Sequence, residues 1–130
     1  MSTIETILSP EVPVPAGHYS QALAYKDLVF VSGQLAPRPD GSHTASEPFA
    51  IQARQALDNL LAIVKAAGST PRDVVKVTVY LVGAGNWPEF NRIYAEVFGD
   101  HRPARSVVPV PELHYGYLVE IEAIAVRRDA

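Results

Sequence analysis

Two groups in this chain have the chemistry to handle a small organic acid. Arg105 stands in His101-Arg-Pro-Ala-Arg-Ser106, where Pro103 closes a loop and starts an extended run. A guanidinium at the start of a strand can give a carboxylate two parallel N–H donors, which lysine cannot do. A surface ion pair is the plain alternative, and the local sequence does not choose between them. Glu120 and Glu122 lie two residues apart in a second extended run, so both project from one strand face. Such a pair suits proton transfer, although glutamates at this spacing are ordinarily solvated or paired with arginine. Gly17-His-Tyr-Ser20 and Ser32-Gly-Gln34 add hydroxyls and glycine-exposed backbone.

Other chemistries lack residues. The chain has no cysteine, which excludes disulfides, thiolate nucleophiles, cysteine zinc sites and iron–sulfur clusters. His18, His43, His101 and His114 never share a helix face or neighbouring strand positions, so no metal site is expected and they read as loop or surface residues. No Gly-x-Gly-x-x-Gly or Walker pattern occurs, and three lysines leave little room for Schiff-base chemistry.

The elements that must position these groups follow from periodicity. Pro10, Pro13 and Pro15 punctuate an opening arm, residues 1–15, expected to be extended. Ser20 to Tyr25 and Leu28 to Gln34 form a hairpin about Lys26-Asp27. Residues 37–46 make a polar loop, the segment expected to move most. Phe49, Ala53, Ala56, Leu57, Leu60, Leu61 and Val64 stripe one face of a helix, with Ser46 as N-cap and Gly68 as stop. Val74 to Val82 is a β-branched strand. Asn86-Trp87-Pro88-Glu89 reads as a capping box for a second helix striped by Phe90, Ile93, Tyr94, Val97 and Phe98. Arg105 to Val110 and Tyr117 to Val126 complete the set.

The order β-β-α-β-α-β-β predicts an α+β layer, two helices on one sheet face. Val75, Val77, Val79 and Leu81, with Val119, Ile121, Ala123 and Ala125, supply apolar faces for the helices. The opposite faces mix Phe30, Tyr80, Leu118, Ile124 and Val126 with Ser32, Gln34 and the glutamates. That is more apolar surface than a solvated sheet needs, so burial between copies of the chain is expected, with polar groups at the seams.

At 130 residues, 48% apolar and 19% charged, the chain reads as one domain spanning 1–130. A net charge of −3 with interleaved signs argues against nucleic acid as a partner. No run approaches the length of a membrane span and no leader stands out, so a cytoplasmic location is expected.

Six ordered segments together resemble a known family: Gly17-His-Tyr-Ser-Gln-Ala22, Leu28-Val-Phe-Val-Ser-Gly-Gln34, Ala-Ala-Gly-Ser at 66–69, Phe90-Asn-x-x-Tyr94, Arg102-Pro-Ala-Arg-Ser106 and Val119-Glu-Ile-Glu-Ala-Ile-Ala125. They look like the reactive-intermediate deaminases of the RidA or YjgF type, from about residue 16 to the end. The resemblance implies a chorismate-mutase-like homotrimer whose sheets form the centre, with sites between subunits. It also implies hydrolysis of 2-imino acids and their enamine tautomers to 2-keto acids and ammonia, without a cofactor. Matched by motif, Arg105 clamps the substrate carboxylate and Glu120 attends the attacking water. Tyr19, Ser32 and Asn91 line the site.

Four positions in three segments depart from the family pattern. His18 replaces the usual proline and Val107 a frequent cysteine. Leu113-His114-Tyr115-Gly116 replaces the usual Leu-Pro-Lys-Gly. Val107 and Tyr115 are therefore expected to shape the substrate pocket. A related catabolic deaminase or hydrolase with a bulkier substrate, and a non-catalytic trimeric binding or chaperone-like protein, stay open as alternatives.

Overall fold

The computed structural model describes residues 3–128. Its strands are β1 (Ile4–Ile7), β2 (Ala22–Tyr25), β3 (Leu28–Gln34), β4 (Val74–Val82), β5 (Ala104–Val110) and β6 (Val119–Val126), and its helices α1 (Phe49–Ala66) and α2 (Trp87–Phe98). They build one six-stranded sheet in the order β1-β2-β3-β6-β4-β5. Only β4 and β5 run parallel, because α2 carries the chain between them as a crossover. The α+β class and two-helix layer of the sequence reading hold.

Part of the opening arm is a strand. Ile4–Ile7 pairs antiparallel with β2, so the sheet has one strand more than the sequence pattern implied. Four alternating residues carry too little pattern to distinguish a paired edge from an extended arm. Met1, Ser2, Asp129 and Ala130, the ends of the expected domain, lie outside the described residues.

The core lies between the helices and one sheet face. From α1 come Phe49, Ala53, Ala56, Leu57, Leu60, Ile63 and Val64; α2 adds Phe90, Ile93, Tyr94 and Phe98. They pack on Val77, Val79, Leu81, Val119, Ile121, Ala123 and Ala125. Each of the larger side chains stabilises the fold by about 1.5–3 kcal/mol on leaving water. Ile63, rather than Leu61, completes the buried stripe of α1.

Several local readings need correction. Val75 is exposed, because an irregularity between Val74 and Lys76 shifts the β4–β6 register and Val74 takes the buried position. Ser46 does not cap α1, whose first turn follows Pro48 without a side-chain cap. Asn86 makes no capping box, since its Nδ2 donates back to the Val82 carbonyl at 3.0 Å. A box-like arrangement occurs instead at Thr70, whose backbone N–H donates to Asp73 Oδ2 at 2.8 Å.

Two buried amides on α1 fasten the loops around the sheet. Gln52 Nε2 donates to the Ala45 and Glu47 carbonyls, while its Oε1 accepts from the Leu118 N–H at 2.9 Å. Asn59 Nδ2 donates to the Leu35 and Pro37 carbonyls. The polar loop 37–46 is therefore tied to the helix layer at both ends. The other sheet face is open, and exposes Ile4, Leu23, Tyr25, Leu28 and Phe30 side by side.

Candidate active site

A cleft of about 700 Å³ opens where β3, β6, the N-terminal segment and two loops meet. Of the residues singled out in the sequence, Tyr19, Ser32, Tyr115 and Glu120 line it. Each is placed by backbone. Ser32 Oγ donates to the Ser20 carbonyl at 2.6 Å, which commits its proton and leaves its lone pairs to accept. Tyr19 N–H closes a tight turn onto the Gly17 carbonyl, and its ring is half exposed. Tyr115 sits in the turn His114–Gly116 with left-handed backbone, φ 62 and ψ 9.

Glu120 lies against Gly33. The β3–β6 register slips between Val31 and Gln34, so Ser32 and Gly33 fall at an irregularity in the ladder. A Cβ at Gly33 would overlap Glu120 Oε2 and stand 3.1 Å from the carboxyl carbon. Only glycine leaves that space. Burial pushes the Glu120 carboxyl above its ordinary value, Glu122 adds repulsion, and His114 partly opposes both. Glu122 accepts a hydrogen bond from Tyr80 Oη at 2.9 Å, so it is already engaged.

Arg105 is elsewhere. Its Nη2 donates to Asn91 Oδ1 at 2.8 Å, and the guanidinium rests 4.8 Å from the centre of the Tyr94 ring. Both partners belong to α2, so the arginine leans toward the helix layer. Tyr94 is buried with its hydroxyl unpartnered, and burial pushes it up to about 12 against the opposing charge of Arg105. Val107 follows on the same side of β5 and packs on the core.

Strand register shows how far apart the two groups are. Arg105 pairs with Val77, which faces the core, whereas Glu120 pairs with Tyr80 on the open face. The two are three residues apart along the ladder and two strands apart across it, roughly 14 Å by standard spacings. They also point to opposite faces. Within one chain the residues expected from the sequence fall into two groups: Tyr19, Ser32, Tyr115 and Glu120 along the cleft, and Asn91, Arg105 and Val107 on the side of the helices.

His43, read from the sequence as a loop or surface histidine, and Tyr117, read only as part of a strand, also line the cleft. Their signal is tertiary, for they are 74 positions apart and join by a 2.7 Å contact between His43 Nδ1 and Tyr117 Oη. Among the described residues, no group of three His, Cys, Asp or Glu is placed to hold a metal ion, and no helix is long and apolar enough to cross a membrane. A second, shallower groove of about 630 Å³ beside α1, lined by Glu11, Asp58 and Lys65, holds none of the singled-out residues.

A family model described as Endoribonuclease L-PSP matches residues 10–127. The chain belongs to that family. This is the family whose RidA and YjgF-type motifs the sequence carries. A RutC family protein of Pyrococcus horikoshii is 41% identical over 121 residues, covering 93% of this chain and 96% of that protein. The 2-iminobutanoate/2-iminopropanoate deaminase of Escherichia coli strain K12 is 39% identical over 127 residues, covering 95% and 98%. Among solved structures, Escherichia coli TdcF with bound serine superposes with a TM-score of 0.90 at 35% identity, covering 95% of this chain and 99% of that one. Some family members are thus named imino-acid deaminases, while others carry only family names.

Proposed function

We propose that the protein is a cofactor-free hydrolytic deaminase of 2-imino acids and their enamine tautomers, with its site completed between subunits of a homotrimer. The observation that carries this reading is the placement of Arg105 and Glu120 on opposite faces of one sheet. A carboxylate clamp and a water-activating acid can then meet over one small substrate only if a second copy supplies one of them. The exposed apolar residues of the open face give the copies a surface to bury.

In the proposed reaction the Arg105 fork holds the substrate carboxylate and Asn91 keeps the fork oriented. Glu120, from the neighbouring subunit, takes a proton as water adds to the imine carbon. It returns that proton to nitrogen to give a carbinolamine, then moves the new hydroxyl proton to nitrogen as the C–N bond breaks, so ammonia and a 2-keto acid leave. Atoms balance without an added reagent. A carboxyl pushed above its ordinary value suits both halves of that transfer.

Subunit complementation tests the reading. Arg105→Ala and Glu120→Gln chains should each be nearly inactive alone in an assay of imine loss. Mixed through unfolding and refolding, random trimers should regain about one quarter of wild-type activity, because that share of seams pairs an intact arginine with an intact glutamate. No recovery in mixtures shown by light scattering to be trimeric would refute the shared site.

A further inference from the structure

Three rings gather on the rim of the cleft that holds Glu120. His43 comes from the loop between β3 and α1, and His114 and Tyr115 from the turn before β6. The Tyr115 ring centre is 4.6 Å from that of His43 and 3.6 Å from that of His114, with tilts of 36° and 31°. Tyr117 meets Tyr115 edge-on, at 6.4 Å and 87°. Tyr115 holds this position in left-handed backbone, which a bulky side chain rarely adopts, and still leaves half of its surface exposed. A strained residue that presents its ring to a cleft points to a ligand-facing role.

A hydrogen-bonded contact holds His43 in place. The Tyr117 hydroxyl is buried and already accepts the Thr44 N–H at 3.1 Å. His43 Nδ1 lies 2.7 Å from the same hydroxyl oxygen. The stacked rings of His43, Tyr115 and His114 form an aromatic wall on the rim of the cleft.

We propose that this wall selects the side chain of the substrate, and that the preferred substrates are 2-imino acids with an aryl side chain; the proposal rests on the deaminase reading above. A methyl or ethyl side chain would leave the ring faces wet, whereas an aryl ring can stack on them or meet them edge to face. An acidic side chain would meet Glu120, while the Arg105 fork is already engaged by the substrate's own carboxylate.

The test uses stable 2-keto acid products as ligands in calorimetric titration of the whole protein. Phenylpyruvate should bind wild type about tenfold more tightly than 2-oxobutanoate, equivalent to about 1.4 kcal/mol. Tyr115→Asn removes the ring but tolerates the left-handed backbone, so it should fold and bring the ratio of the two dissociation constants toward about one. His43→Ala should reduce the same ratio by a smaller factor. Equal affinities on wild type, or an unchanged ratio in both variants, would overturn the aryl preference and leave the deaminase reading standing. Tighter binding of 5-guanidino-2-oxopentanoate would overturn it too, since Glu120 would then be selecting a cation. Binding of none of these acids would overturn both readings.

Discussion

Gly33→Ala isolates the position of Glu120 from every other property of the site. Gly33 has no left-handed φ, so alanine meets no backbone barrier there. The added Cβ would stand 3.1 Å from Glu120 Cδ and 3.4 Å from Cγ, and would overlap Oε2. The carboxylate must swing aside. An off-rotamer glutamate costs about 0.5–1.5 kcal/mol, and replacing glycine by alanine at a compatible site returns about 0.4–1 kcal/mol through the unfolded chain. The two nearly cancel, so the melting temperature should change little. Catalysis should respond differently, because displacing a catalytic group by about 1 Å can cost on the order of 100-fold. The assay generates an imine from serine or threonine with a dehydratase and follows its accelerated loss to keto acid. A fall in kcat of about 100-fold at unchanged melting temperature and keto-acid affinity is expected. Wild-type turnover in Gly33→Ala would mean that the Glu120 carboxylate need not lie against β3, and the water-activating role would fall with it.

Glu120→Gln should stabilise the folded protein at pH 7 while abolishing turnover. Because the folded carboxyl lies above its ordinary value of 4.5, wild-type stability is fullest below that pH and declines as pH rises through the raised value. The advantage of Gln in thermal melts should therefore shrink toward pH 4.5 and vanish below it. Asp73 behaves oppositely. The Thr70 N–H, then the Thr70 hydroxyl and the Arg128 guanidinium, hold its carboxyl below the ordinary 3.8, so its contribution is present above 3.8 and is lost as pH falls through the lowered value. Asp73→Ala should cost about 1–2 kcal/mol in denaturant melts at pH 7, and the gap from wild type should narrow in acid. A gap independent of pH would mean that packing, not charge, sets the role of Asp73.

Legibility from sequence followed the range of the forces involved. Helices and strands of the middle and end of the chain could be read because burial of one face imposes period 3.6 or 2 over seven or more residues. Ile4–Ile7 was too short to show a period, and the irregularity at Val75 breaks the alternation that would have revealed it. Ser46 and Asn86 are residue types that cap helices, but α1 begins only after Pro48 and the Asn86 side-chain amide donates back to the Val82 carbonyl.

For the site, the sequence by itself determined the chemical inventory. It contained an arginine at a strand start, two glutamates on one strand face, no thiol, and family motifs that single out Tyr19, Ser32, Asn91, Arg105 and Glu120. The tertiary structure decided how they are distributed. Strand pairing puts Arg105 in register with Val77 and Glu120 in register with Tyr80, so one faces the helices and the other the open sheet face. Such a division depends on which strands become neighbours, through contacts distant in sequence, and no local pattern encodes it. The meeting of His43 with Tyr117 across 74 positions is of the same kind. Local periodicity reports which face of an element is buried; only the packed sheet says which faces look at each other.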